Sequence, residues 1–186
     1  MAHGEGDESR LGFARHLDRE LTRLGIAHEP TVDLAISGSR TRQLARVIAQ
    51  PGARALIAKA DAVVVSIGGN DLYGDSRARL LSLIAPRLMM DVAVERIASI
   101  VRTIEQGSRS RIVLLGVYDP YRNPRLDEYV SLWSAKLLER FADDRRVSVI
   151  TIADLFVARP RISPIDRFHP NADAYERIAR RVAEAM

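Results

Sequence analysis

An α/β fold with a mostly parallel sheet and helices on both of its faces is what this sequence predicts. Two short runs, residues 61–67 and 111–117, are continuously apolar and rich in β-branched side chains, the pattern of strands buried on both faces. Stretches with apolar residues at helical spacing lie between and around them. Strand and helix signals alternate along the chain, as a parallel sheet with crossover helices requires. At 186 residues, with no repeat, low-complexity segment or linker, the chain reads as a single domain over 1–186.

The elements follow in order. Residues 9–24 carry Ala14, Leu17, Leu21 and Leu24 on one helical face, and Gly25 supplies a stop. Residues 31–36 are short and β-prone. Residues 41–49 read as a helix halted by Pro51-Gly52, and 61–67 as a buried strand. A helical stretch, broken or kinked near Pro86, continues over 91–106. Residues 111–117 form the second buried strand, 126–141 a helix, 147–152 another strand and 172–185 a closing helix.

Composition narrows the function classes. The residues are 47% apolar and 28% charged, an ordinary globular balance. There is no cysteine, hence no disulfide scaffold, thiolate metal site or thiol nucleophile. No apolar run is long enough to cross a bilayer. Lys+Arg 28 against Asp+Glu 24 leaves +4, and the arginines alternate with acids along helices, as on a solvated face. A nucleic-acid tract would cluster them. Nucleic acid is therefore not an expected partner. The first residues lack the basic start and apolar stretch of a secretory signal, which reads as cytoplasmic.

In open parallel sheets the ligand crevice lies beyond the carboxyl ends of the strands, so the segments there carry the functional reading. After residues 31–36 comes Ser37-Gly38-Ser39-Arg40-Thr41: a turn with Ser39 or Thr41 capping a helix, or a backbone N–H of Gly38 facing an anion. After residues 61–67 comes Gly68-Gly69-Asn70-Asp71, an Asx turn or an amide of Asn70 donating to a developing oxyanion. The last loop contains Asp166-Arg167-Phe168-His169-Pro170-Asn171. Of the four histidines, His169 is the one in a loop with a carboxylate three residues before it. Asp166 on one ring nitrogen would fix the tautomer and leave the other to take a proton. No further histidine or clustered carboxylate supports a metal there. Pro170-Asn171 ends the loop and caps the last helix.

These three segments, in this order, resemble the SGNH (GDSL-type) hydrolases, a family of serine esterases and lipases. The resemblance implies a three-layer α/β/α, flavodoxin-like fold and hydrolysis of a small or lipid-like ester through an acyl-enzyme. In it His169 is the general base, Asp166 its orienting carboxylate, and Gly38 and Asn70 part of the oxyanion hole; no metal or organic cofactor takes part. The family's first block, a strand ending in Gly-Asp-Ser, has no counterpart. Met1-Ala2-His3-Gly4 fits the residues that follow such a serine. The expectation is that nucleophile and first strand belong upstream of Met1, and that this chain alone is inactive and poorly stable. The alternative is a non-catalytic ligand-binding protein of the same fold. Neither Ser76, in Gly74-Asp75-Ser76, nor Ser9 follows a strand, and both read as helix caps. Leu81, Leu83, Ile84, Leu88, Met89 and Met90 read as core-facing helix residues or an apolar acyl site, and Tyr118-Asp119-Pro120-Tyr121 as a second candidate for the pocket rim. Substrate identity, export and oligomeric state are not legible in the sequence.

Overall fold

A computed structural model describes residues 1, 3–73, 86–157 and 161–186. Its elements run α1 (Gly12–Arg23), α2 (Thr41–Ile48), α3 (Pro51–Ile57), β1 (Ala62–Ser66), α4 (Gly69–Tyr73), α5 (Pro86–Gly107), β2 (Arg111–Leu115), α6 (Pro124–Arg140), β3 (Val147–Ile150), a 3-10 turn (Ala153–Phe156) and α7 (Ala172–Glu184). Among the described residues the sheet has three parallel strands in the order β1-β2-β3. Val64 pairs with Val113 and Val113 with Ser148.

Strand alternation divides the core in two. Ile112 and Leu114 of β2 face one side, where α2, α3, α5 and α6 supply Ile48, Ile57, Ile97 and Trp133. Val113 and Leu115 face the other, against Leu17 of α1 and Tyr175 and Ile178 of α7. Side chains on opposite faces of a strand require exactly such a two-sided cover. The predicted α/β fold with helices on both faces is therefore present. No helix among the described residues is long and apolar enough to cross a membrane.

Several local expectations need correction. Residues 31–36 form no strand: Thr31 N–H donates to Asp18 and Ala35 N–H to Asp33, and Val32 and Ile36 are exposed. Side-chain acceptors take up these backbone donors. Residues 61–67 are not buried on both faces; β1 lies at the sheet edge and only Val65 is fully covered. Pro51 does not merely halt α2. It opens α3 at a first-turn position, where a missing N–H costs nothing. Pro86 likewise begins α5. The 3-10 turn over Ala153–Phe156 had no legible signal.

The caps differ too. Ser9 does not cap α1; its hydroxyl donates to Asp7 (2.6 Å), and Asp7 itself accepts the N–H of Gly12, the first residue of that helix (2.8 Å). Neither Ser39 nor Thr41 caps α2: the N-cap is Arg40, whose N–H donates to the Gln43 side chain. Asn171 caps α7 as expected, accepting from Ala174 N–H at 2.9 Å. The cap assigned to Ser76, and Leu81, Leu83 and Ile84, lie outside the described residues. Met90 is buried in the core, whereas Leu88 is exposed.

Candidate active site

The carboxyl ends of β1 and β2 open onto a cavity of about 910 Å³. Gly38, Asn70, Tyr118 and His169 all line it. Three loops far apart in the chain thus border one cavity, which also runs along the length of β1.

The loop after β1 is held by packing that tolerates no side chain at its first residue. Gly68 has φ +112°, and an ideal Cβ there would lie 2.3 Å from Trp133. Its carbonyl accepts from the N–H groups of Asp71 and Leu72, closing the first turn of α4. Asp71, buried, then reaches across to α2: it accepts Thr41 N–H at 2.9 Å and Thr41 hydroxyl at 2.7 Å. An orphan donor at the N-terminus of α2 is satisfied by a carboxylate thirty positions away. Beside it, Asn70 Nδ2 donates to Ser39 O at 3.1 Å. This bond uses one of the two amide hydrogens and leaves the other to point elsewhere. Gly38 makes the turn at φ +71°. Asn70 and Gly38 therefore belong to one stitched unit, with Asp71 as its anchor.

The loop carrying His169 is closed by its own backbone. Ser163 N–H donates to His169 O at 2.8 Å, and Asn171 N–H to Arg161 O at 2.9 Å. Within it, Asp166 Oδ2 lies 2.7 Å from His169 Nδ1. Its Oδ1 accepts the N–H groups of Phe168 and His169, each at 2.9 Å. A carboxylate only accepts, so Nδ1 carries the proton and Nε2 is the basic nitrogen of the neutral ring. Partial burial pushes the Asp166 carboxyl up. The hydrogen bonds from His169 and Phe168 outweigh it and hold the group below the usual carboxylate range.

The segment ahead of α1 packs onto this loop. Gly6 has φ +81°, and a Cβ on it would come within 2.7 Å of His169 Cβ and 2.9 Å of Ser163 Cβ. Glu5, next to it, lines the same cavity. Burial raises its carboxyl, but the Ser37 hydroxyl and nearby positive charge outweigh that and lower it. Sequence reading did not single out Gly6 or Glu5. A glycine is a local signal of special backbone, but not of the histidine it touches.

A second Ser–His–Asp group, Ser9–His16–Asp7, is also present, and its connectivity excludes a relay. Ser9 Oγ and Asp7 Oδ2 both meet the same nitrogen of His16, Nε2, at 3.3 and 3.1 Å. A base needs its carboxylate and its nucleophile on opposite ring nitrogens. His16 and Asp7 are buried and brace the start of α1.

The pocket-rim segment divides by role. Tyr118 and Pro120 line the cavity. Asp119 is buried and accepts the N–H groups of Tyr121 and Asn123. Tyr121, largely exposed, lies against Phe168, whose ring meets His169 edge-on at 5.0 Å.

The protein is thus a parallel-sheet α/β body that carries a carboxylate-supported histidine beyond its strand ends. Residues 1–177 match the model of the GDSL-like lipase/acylhydrolase family, and the chain belongs to that family. A Bacillus subtilis (strain 168) protein, YpmR, is 28% identical over 202 residues, covering all of this chain and 78% of its own length. Among solved structures, the lipase Lip_vut3 from a goat rumen metagenome superposes with a TM-score of 0.84 at 20% identity, over 98% of this chain and 91% of that one. A mutant of Axe2, an acetyl-xylooligosaccharide esterase from Geobacillus Stearmophilus, gives 0.70 at 19% identity, over 97% and 84%. The Clostridium thermocellum family 3 carbohydrate esterase gives 0.65 at 18%, over 99% and 92%. At these identities the structural likeness is one of fold.

Proposed function

We propose that the protein hydrolyses a carboxylic ester of a small or lipid-like substrate through an acyl-enzyme, with His169 as general base and Asp166 as its orienting carboxylate. The observation that carries this reading is the 2.7 Å contact between Asp166 and His169 Nδ1 on the cavity that Gly38 and Asn70 also line. Family membership and the esterases and lipases that share the fold support it.

In the proposed cycle a serine hydroxyl attacks the acyl carbonyl while His169 Nε2 takes its proton. The oxyanion is met by Gly38 N–H and the free amide hydrogen of Asn70. The leaving alcohol departs with the proton from His169. Water, deprotonated by the same nitrogen, then releases the acid. Asp166 stabilises the imidazolium formed in each half.

We place the attacking serine, at the end of a further strand, immediately ahead of Met1. Met1 and Glu5 line the same cavity as His169. β1 lies at the sheet edge along that cavity. Asp61 O accepts from Arg111, so by alternation the N–H and C=O groups of Ala62, Val64 and Ser66 point away from β2. Val32, Leu34 and Ile36, which also line the cavity, expose apolar side chains. A strand in this slot would satisfy the backbone groups and cover the apolar ones together, which an acyl chain could not do.

The test compares this chain with the same chain carrying its in-frame upstream residues. Hydrolysis of p-nitrophenyl acetate and covalent labelling by a fluorophosphonate, located by mass spectrometry, are the readouts. The longer protein is expected to turn over and to be labelled on a serine just before Met1, and His169→Ala to abolish both. Labelling of Ser9, Ser37 or Ser76 in the shorter chain would move the nucleophile. An upstream sequence without serine would replace catalysis by ligand binding.

A further inference from the structure

We propose that Tyr118 is a positioning residue for His169: its hydroxyl and the Asp166 carboxylate grip opposite ends of the single peptide group joining Phe168 to His169. The proposal rests on the reading of His169 as the base.

The Phe168 carbonyl accepts from Tyr118 Oη at 2.9 Å. The N–H at the other end of that amide, on His169, donates to Asp166 Oδ1 at 2.9 Å. A peptide group is rigid and planar, so anchoring both ends sets the direction in which the His169 side chain leaves the backbone. The following carbonyl, His169 O, is held by Ser163 N–H at 2.8 Å. Both peptide groups flanking the histidine are thereby tied down.

Tyr118 is a suitable anchor because it is itself fixed. It follows β2, and its ring stacks on Phe156 with centroids 4.1 Å apart and planes 15° from parallel. Phe156 belongs to the buried core between the sheet and α7. The histidine loop, whose other bonds are largely internal to residues 161–171, is in this way referred to the sheet. Burial first, and the Asp166 charge second, push the Tyr118 phenol up. The phenol therefore keeps its proton, and remains a donor, through the neutral range. Donation to the Phe168 carbonyl also polarises the amide and strengthens the His169 N–H as a donor to Asp166.

Several ionisable groups interact electrostatically with the dyad: the Met1 amino group, Glu5, Tyr118 and Tyr175. Of these, Tyr118 is the one whose side chain hydrogen-bonds the Phe168 carbonyl.

The test is Tyr118→Phe, which keeps the ring stack and removes the donor. In the 186-residue chain, Asp166 is followed by its side-chain carboxyl carbon resonance as pH is lowered, and His169 by its imidazole nitrogen shifts. The variant is expected to move the Asp166 midpoint upward, toward the ordinary carboxylate value, and to reduce the Nδ1-protonated population of His169. In the serine-bearing protein kcat is expected to fall about tenfold with KM unchanged. An unmoved midpoint and tautomer would overturn the proposal, as would a KM rise with kcat unchanged, which would make Tyr118 a substrate contact. Should Tyr118→Phe not fold, 3-fluorotyrosine at this position alone, a stronger donor, is expected to move the midpoint downward; no movement overturns the proposal. The resonance measurements need no ester hydrolysis, so they separate failure of the clamp from failure of the proposed reaction.

Discussion

Replacing Gly68 by alanine tests the packing that aims Asn70 into the cavity. Two costs arise from one methyl group. The backbone at φ +112° is a conformation that a side chain resists, worth about 1–3 kcal/mol. The new Cβ would also stand 2.3 Å from Cζ2 and 2.6 Å from Cη2 of Trp133. That indole is fully buried in the larger core cluster; overpacking of this kind costs about 1–3 kcal/mol. A mid-range sum of about 4 kcal/mol is a large share of the roughly 5–15 kcal/mol that stabilises a domain, and for this chain length it lowers Tm by about 8–16 °C. Gly69→Ala is the control. Nothing lies within 4 Å of its ideal Cβ, and an alanine in the first turn of α4 changes stability by about 1 kcal/mol or less. Thermal melts followed by circular dichroism read both variants side by side. A Gly68→Ala melt within about 2 °C of the parent would refute the reasoning, because less than 1 kcal/mol would then separate the two backbones. Equal losses in both variants would refute it as well, since the argument depends on Trp133 and not on glycine in general.

Three further outcomes are expected. Asp71→Ala strands the buried N–H and hydroxyl of Thr41 and should cost about 2–6 kcal/mol in urea unfolding, at about 1–3 kcal/mol for each unsatisfied group; a loss under about 1 kcal/mol would mean that water or another acceptor replaces it. Asp166→Asn in the serine-bearing protein should lower kcat by about 10³–10⁴-fold, since the amide favours the wrong tautomer of His169, and unchanged turnover would remove Asp166 from the mechanism. Glu20 is buried, which raises its carboxyl, but hydrogen bonds from Arg23 and Arg180 outweigh burial and hold it below the ordinary carboxylate value. Its contribution is accordingly complete above that ordinary value and lost as pH falls through the lowered one. Glu20→Gln should flatten that part of the stability–pH curve, and an unchanged acid limb would show that the ion pairs of Glu20 with Arg23 and Arg180 are not responsible.

What was legible in the sequence was what local physics dictates. Apolar period distinguished helix from strand because side chains repeat every 3.6 residues in one and every 2 in the other. That placed α1, α2, α6, α7 and the cores of β1, β2 and β3 within a few residues of where they lie. The Asp166–His169 pairing was legible for the same reason: a carboxylate three residues before a histidine in a turn meets its ring through a local loop.

Tertiary structure decided everything that depends on which distant segments meet. Residues 31–36 have strand-forming side chains, yet a strand exists only where another backbone supplies hydrogen bonds, and here the donors of Thr31 and Ala35 go to aspartates instead. β1 carries the composition of a central strand but is an outer strand among the described residues, because a strand's place in a sheet is set by which neighbours pair with it. Asp71 reaching Thr41, Gly6 against His169 and Tyr118 on the Phe168 carbonyl join positions that share no periodicity. Chain sequence specifies the donors, acceptors and glycines at such places; only the folded topology brings each to its partner, because a hydrogen bond acts over about 3 Å and carries no record of sequence separation.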